Sequence, residues 1–383
     1  MARLLRVLQV IPSLGRGGAE RLCLNISAEL INLGHHVEVV VFRDRNDYPE
    51  LESKLKVHVI PSQVSYSLLG NDTFNTIEFD AFVAKYKPDI IHTHLLETEF
   101  ITRHNPLKTA VYLTHWHGCH PPTNPRSFVD YFKKDTWWNI NSIRQLKRQY
   151  VKCDNQFLCI SDFIKGYIQR ALNPKPENIY VILNGCDISS FHSQTPERSK
   201  DTFTLVSVGS FHPYKNQRFL LKVLQHLVAQ GVKDIHLQLL GDGSERQNLE
   251  NYAHQNNLTN HVQFLGYVDN PEVFMSQAHA LVHSAIDEPF GLILLEAMSS
   301  QLPIIAFRSG GIPEIVVHGK TGYLAAENDT EDFAQRIMEL RNNPELAIQM
   351  GKNGQEAVSK FAIDKYVGKI ETLYFNLLQK NTK

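Results

Sequence analysis

The stretch Glu288-Pro-Phe-Gly-Leu-Ile-Leu-Leu-Glu296 carries the sharpest chemical signal in the sequence. Two acids bracket a run that opens a very apolar helix near Phe290 or Gly291. If helical throughout, the run separates them by roughly 12 Å, a span comparable to that from a hexose to the ribose of a nucleotide-sugar. Between them lie the unpaired N–H groups of a helix start, at Phe290, Gly291 and Leu292, which suit a diphosphate. The plainer alternative is two solvated glutamates on an amphipathic helix. It fits less well, because Glu288 falls between a buried-looking strand and that helix.

A departing diphosphate needs positive charge. Lys215, in Val208-Gly-Ser-Phe-His-Pro-Tyr-Lys-Asn216, sits in a loop after a strand, where open parallel sheets bind ligands. Two glycine loops, Gly15-Arg16-Gly17-Gly18 and Gly241-Asp242-Gly243, would let backbone N–H groups approach a phosphate or a sugar. Neither completes G-x-G-x-x-G, and both read equally as tight turns. A dinucleotide fingerprint would also need an acid ending the second strand; Asp44 is the nearest and is poorly placed. The 18 histidines cluster as His92/His94 and His115/His117/His120. Without a partnering acidic cluster they read as polar residues at strand ends facing a cleft, or as core imidazoles, ahead of a metal site.

These residues need a frame. Leu4–Ile11 is a nearly continuous apolar run, as expected of a strand buried on both faces. Leu22, Ile26, Leu30 and Leu33 follow at helical spacing, Gly34 ends that helix, and 36–42 is a second β-branched run. This is β-loop-α-β, the unit of a parallel sheet. Strands are expected at 56–60, 88–94, 109–114 and 156–161, with a helix at 74–86. A polar, turn-rich break at 184–201 precedes a second set: strands at 202–208, 235–240, 262–265, 280–283 and 303–307, a helix at 217–230, and closing helices at 330–342, 345–359 and 363–379. The organisation is α/β, two Rossmann-like parallel-sheet domains facing a cleft.

Composition narrows the classes. The 383 residues are 43% apolar, enough for two cored domains. Thirty-nine basic against forty acidic residues exclude a globally basic nucleic-acid binder. No apolar run reaches a membrane span, and the N-terminus reads as a strand rather than an export signal. Cysteines at 23, 119, 153, 159 and 186 form neither a disulfide framework nor a zinc pattern. The expected location is therefore the cytoplasm. Residues 126–152 interleave Lys and Arg with Phe, Tyr and Trp. That suits either docking on the inner face of a membrane with a lipid-linked acceptor, or a solvated insertion.

The chain resembles the family-4 retaining glycosyltransferases of two-Rossmann, GT-B architecture. IPSLGRGGAER (11–21), PDIIHTH (88–94), THWHG (114–118), SDFIKGY (161–167), VILNGCD (181–187), VGSFHPYKN (208–216), LLGDGSERQNLE (239–250), VQFLGYV (262–268), EPFGLILLEAMSSQLPIIAF (288–307) and SGGIPEIVVHGKTGYL (309–324) occur in family order over nearly the whole chain. The resemblance implies an acceptor-side domain of residues 1–185 with the C-terminal helix 363–383, and a donor domain of 186–362. It implies a nucleotide-diphospho-sugar donor, UDP ahead of GDP, and a glycan or lipid-linked acceptor in surface polysaccharide or lipopolysaccharide synthesis. It also implies retention of anomeric configuration, no metal and no cofactor.

Residue by residue, Glu288 would contact the donor hexose and Glu296 the ribose hydroxyls. Lys215 and the N–H groups of Phe290–Leu292 would neutralise the diphosphate. Gly17 and Gly18 would approach diphosphate or acceptor, with Arg16, Ser161 and Lys165 on the acceptor side. Gly209, Ser210, Asn216, Gly241 and Gly243 would line the donor site, with Gly266 and Tyr267 beside the base. His117 resembles the histidine near the sugar's 6-position, with His115 second. Ser210 stands where the family often has Arg; Arg16, Arg218 or Arg246 would substitute, or Lys215 and the helix N–H groups carry the phosphates. A sugar-nucleotide 2-epimerase and a non-catalytic sugar-nucleotide binder are the competing readings.

Overall fold

A computed structural model describes residues 3–65, 73–119, 134–192 and 198–381. The chain divides into two compact units, Met1–Gly185 with Ile363–Lys383, and Cys186–Ala362.

In the first unit the strands are β1 (Arg6–Ile11), β2 (His36–Val41), β3 (Val57–Val59), β4 (Gln63–Ser65), β5 (Thr73–Asn75), β6 (Ile90–His94), β7 (Val111–Trp116), β8 (Gln156–Cys159) and β9 (Ile179–Val181). Seven of them form a parallel sheet in the order β3-β2-β1-β6-β7-β8-β9, and β4 pairs β5 antiparallel. In the second unit β10 (Phe203–Val208), β11 (Ile235–Leu240), β12 (Val262–Gly266), β13 (Ala280–His283), β14 (Ile304–Phe307) and β15 (Gly322–Ala325) form a parallel sheet in the order β12-β11-β10-β13-β14-β15. Each sheet reverses its strand order once, between β1 and β6 and between β10 and β13. Adjacent crossovers there leave the sheet in opposite directions, so a crevice opens at the strand carboxyl ends.

Apolar strands buried on both faces and one-sided helices build the cores. Helix Gln217–Ala229 buries Phe219, Val223, Leu224 and Leu227, the expected stripe. Helix Ile363–Asn381 belongs to the first unit, where Tyr366, Val367, Ile370, Tyr374 and Leu377 pack against Leu5, Val7, Leu22 and Ile26.

Three differences from the expected elements have local causes. The helix anticipated at 74–86 starts at Ile77, because residues 73–75 pair as a strand instead. The short strands β9 and β15 were not anticipated; three or four residues at a sheet edge carry little periodic signal of their own. The helix after Glu288 begins at Leu292, so the span from 288 to 296 is not helical throughout. Residues 126–133 lie outside the described residues. Beyond them, helix Lys134–Lys152 buries Ile143, Leu146 and Tyr150 in the first unit and leaves Arg144, Lys147 and Arg148 exposed. Among the described residues, no helix is long and apolar enough to cross a membrane.

Candidate functional site

In the second unit, the carboxyl ends of β10 and β13 bring three ionisable side chains together. Lys215, at the end of the 3-10 turn Pro213–Lys215, places Nζ 2.6 Å from Glu288 Oε2. His283, the last residue of β13, sits with Nε2 3.1 Å from the same oxygen. Glu288 is only 7% exposed. Burial alone would raise its carboxyl, but the Lys215 charge and the His283 hydrogen bond outweigh it and hold the group down at about 2. Glu288 is therefore a carboxylate at neutral pH, an acceptor and not a proton donor.

The backbone around it is built for this placement. Asp287 has φ 53°, a left-handed conformation that a non-glycine residue adopts at a cost. Its N–H donates to Ser309 Oγ at 2.9 Å, and Gly311 N–H donates to the Glu288 carbonyl at 2.8 Å. Gly310 has φ 57°, and a Cβ there would lie 2.1 Å from the Glu288 carbonyl oxygen. The Lys215 loop is tied down in turn by the Ser284 hydroxyl, which donates to the carbonyls of Lys215 and Asn216. Sequence reasoning missed His283, Ser284, Ser309 and Gly310. The glycines of SGGIPE, residues 309–314, are the signal that the sequence offers for Ser309 and Gly310.

Helix Leu292–Ser299 starts from Gly291, whose φ is 91° and which offers no capping side chain. Leu294 N–H bonds back to the Gly291 carbonyl at 3.0 Å, while the N–H groups of Leu292 and Ile293 precede any intrahelical acceptor. Phe290 is buried, whereas Leu292 and Glu296 are half-buried, Glu296 one turn into the helix. Gly209, φ 150°, has open space where a Cβ would be. Gly241 and Gly243 differ: a Cβ on either would strike backbone of Gly209 or Phe211. Their need for glycine is met by loop packing, the plainer of the two readings, without any ligand. Ser210 accepts through its carbonyl from Gln217 Nε2. Asn216 bonds Asn328, and Tyr267, 60% exposed beside Gly266, donates to the Asp242 carbonyl. Of the proposed substitutes for the missing arginine, Arg246 is paired with Asp242 and Glu250, and Arg218 lies over the Tyr252 ring.

In the first unit, the matching switch point is lined by histidines. His92 and His94 of β6 and His115 of β7 are buried, and His117 follows just beyond β7. Their rings lie against one another with centroids 4.1 to 5.1 Å apart, stacked in every pair but the tilted His94–His115. Burial, reinforced by mutual repulsion with the neighbouring imidazoles, holds His92, His94 and His115 well below the usual histidine value, so they are neutral. Ring nitrogens of His92, His94 and His115 come within 4.8 Å of one another, as metal ligands would. However, both nitrogens of His94 are already bonded, to Gln9 and His117.

His115 bonds Tyr366 and is 1% exposed, so it corrects the second choice for a sugar-contacting histidine: it has no surface with which to touch a substrate. The glycine loop is clamped, because the Tyr48 hydroxyl accepts from Gly17 N–H and donates to the Gly17 carbonyl. Gly17 N–H is thus committed, while Gly18 and Arg16 are exposed. Ser161 is also corrected. It is fully buried and its Oγ caps helix Asp162–Leu172, accepting from Ile164 N–H at 3.1 Å. Lys165 is half-buried on the same helix.

Residues 16–190 match the family model described as Glycosyltransferase Family 4, and residues 189–357 the model described as Glycosyl transferases group 1. The chain has the GT-B fold of the family-4-like glycosyltransferases. The first half thus matches one glycosyltransferase model and the second half another. An uncharacterised glycosyltransferase of Methanocaldococcus jannaschii is 32% identical over 58% of this chain and 60% of its own length. The N-acetyl-alpha-D-glucosaminyl L-malate synthase of Bacillus anthracis is 33% identical over 47% of each. The chain thus spans about half to three-fifths of the length of these curated relatives. Among solved structures, Anabaena HepE in complex with UDP superposes with a TM-score of 0.78 at 20% identity, over 96% of this chain and 99% of that one.

Proposed function

We propose that this glycosyltransferase moves a hexose or N-acetylhexosamine, with retention, from a nucleotide-diphospho-sugar to a hydroxyl of a glycan or lipid-linked acceptor. The observation that carries this is the buried Glu288 carboxylate, held ionised between Lys215 and His283 beside an uncapped helix start. A permanent acceptor next to a permanent cation and oriented N–H groups suits a ligand with hydroxyls at one end and a diphosphate at the other.

In this reading Glu288 accepts hydrogen bonds from the donor sugar near the reacting carbon. Lys215 bridges from that carboxylate to the diphosphate, and the N–H groups around Gly291 and Leu292 share the charge that grows as the sugar–phosphate bond breaks. Glu296 takes the ribose hydroxyls, Gly209 leaves room for the phosphates, and Gly266 and Tyr267 border the base. The acceptor hydroxyl attacks from the face that the diphosphate leaves and passes its proton to a phosphate oxygen. Glu288 does not take that proton, since its low pKa makes it a weak base. The diphosphate's charge is met by Lys215 and the helix without a metal.

UDP is the favoured carrier, supported by the UDP in the HepE complex, and N-acetylglucosamine by the name of the Bacillus anthracis relative. A thermal-shift screen of UDP, UDP-glucose, UDP-N-acetylglucosamine and GDP-mannose tests the donor, because a ligand that binds only the native state raises Tm. A UDP-sugar is expected to raise Tm in the wild type and to do so far less in Lys215→Met. Equal shifts in both proteins would overturn the site. Consumption of donor without any acceptor would turn the assignment to an epimerase.

A further inference from the structure

Both side-chain hydrogen bonds that the Glu288 carboxylate receives end on one of its two oxygens. Lys215 Nζ donates to Oε2 at 2.6 Å, and His283 Nε2 donates to the same atom at 3.1 Å. Among the described residues no group donates to Oε1. A carboxylate oxygen has two lone-pair sites, so Oε2 is filled and Oε1 keeps its accepting capacity.

The two donors differ in kind. Lys215 carries its ammonium on a four-carbon stem, its side chain is 19% exposed, and it has two further N–H groups to give. An arriving anion can therefore draw it away from Glu288. His283 cannot be drawn away. Its side chain is only 5% exposed, its ring is planar, and it ends β13, where the pairing with β14 sets it beside Ala306. The chain just beyond β13 fixes the lysine loop separately. The Ser284 hydroxyl donates to the carbonyls of Lys215 and Asn216, and Ile286 N–H donates to the Tyr214 carbonyl at 3.0 Å. The carboxylate and the backbone under the cation thus have independent supports on one strand end.

We propose that His283 is a positioning residue that keeps hold of Glu288 Oε2 while Lys215 turns to the diphosphate, so that Oε1 is the oxygen presented to the donor sugar. His283 touches no substrate. Because Oε1 only accepts, the sugar must meet it with a hydroxyl or an amide N–H. The inference rests on the donor reading of this site given above and adds how the acid is aimed.

The test is calorimetric titration of the full-length protein with UDP, UDP-glucose and UDP-N-acetylglucosamine, and with GDP and GDP-mannose. The quantity read is the affinity for a nucleotide-sugar divided by that for its bare diphosphate. This ratio belongs to folded molecules, so a loss of folded protein does not change it. His283→Leu is expected to lower the ratio roughly five- to tenfold and to leave affinity for the bare diphosphate within about twofold. His283→Asn, whose amide stops short of the Nε2 position, should do the same and serves if the leucine variant does not fold. His283→Gln, which returns an N–H near that position, should restore the ratio. With an acceptor, kcat should fall in the same order of variants. An unchanged ratio in the leucine and asparagine variants would overturn the proposal. So would equal losses of sugar-nucleotide and diphosphate affinity, which a merely structural histidine would give, or a glutamine variant no better than leucine. A wild type that binds none of these compounds would defeat the donor reading itself, and the proposal with it.

Discussion

At the carboxyl end of β13, Glu288 stays charged inside the second unit because Lys215 and His283 reach it. At the carboxyl ends of β6 and β7 in the first unit, His92, His94 and His115 are also buried and are neutral, because burial comes first and the charges that act on them, other imidazoles and at His92 the Arg103 guanidinium, add to it. Both groups occupy the switch point of a parallel sheet. Removal from water penalises the charged form in both places, and what differs is whether an opposite charge compensates. The comparison teaches that one topology can hold a charged cluster or a neutral one at its switch point, according to whether an opposite charge lies within reach.

The largest break should come from the charged site. Lys215→Met is expected to cut turnover roughly 10²–10³-fold. It should also lower stability by roughly 1–3 kcal/mol, since His283 still bonds the carboxylate. Initial rates and chemical denaturation check both, and near-normal rates would sink the assignment of Lys215. Glu288→Ala should lose comparable activity with a smaller stability cost, since it removes the buried charge rather than its partner. Gly310→Ala comes next. Its Cβ would collide with the Glu288 carbonyl at a left-handed backbone position, costing roughly 2–3 kcal/mol and displacing the carboxylate.

Acid should separate the units. The three buried histidines have depressed folded values, so the unfolded chain binds protons first. Their contribution is intact above the ordinary 6.5 and is lost as pH falls below it toward their low folded values. Glu288 keeps its contribution above 4.5 and loses it only as pH falls toward about 2. All three tryptophans, Trp116, Trp137 and Trp138, fall in the first unit. Between pH 6 and 5, melting followed by tryptophan fluorescence should move down ahead of melting followed by circular dichroism. Coincident curves would argue against neutral histidines in the first unit. The smallest effect belongs to Ser161→Ala, which removes a helix cap worth about 1 kcal/mol. A fall in turnover larger than that loss accounts for would return Ser161 to the acceptor site.

Much of this was legible in the residue string, for reasons that differ by region. Alternation of apolar strands with one-sided helices is a local pattern, so the two parallel α/β halves and most strands could be placed from it. Glu288, Lys215 and the glycine-bearing helix start could be singled out because loops after buried strands leave their polar residues few structural reasons to exist. His283 could not, since a histidine ending an apolar strand looks like any other core residue until β10 and β13 lie side by side. Ser161 and Gly241 looked functional and have structural uses, a cap and a close backbone approach. The alphabet and its spacing by themselves determined which segments become strands and helices and which residue types are available for chemistry. Tertiary structure alone decided which of those residues meet, and hence that Glu288 is ionised and His94 neutral, because desolvation and charge pairing act through space, over a few ångströms, between positions far apart along the chain.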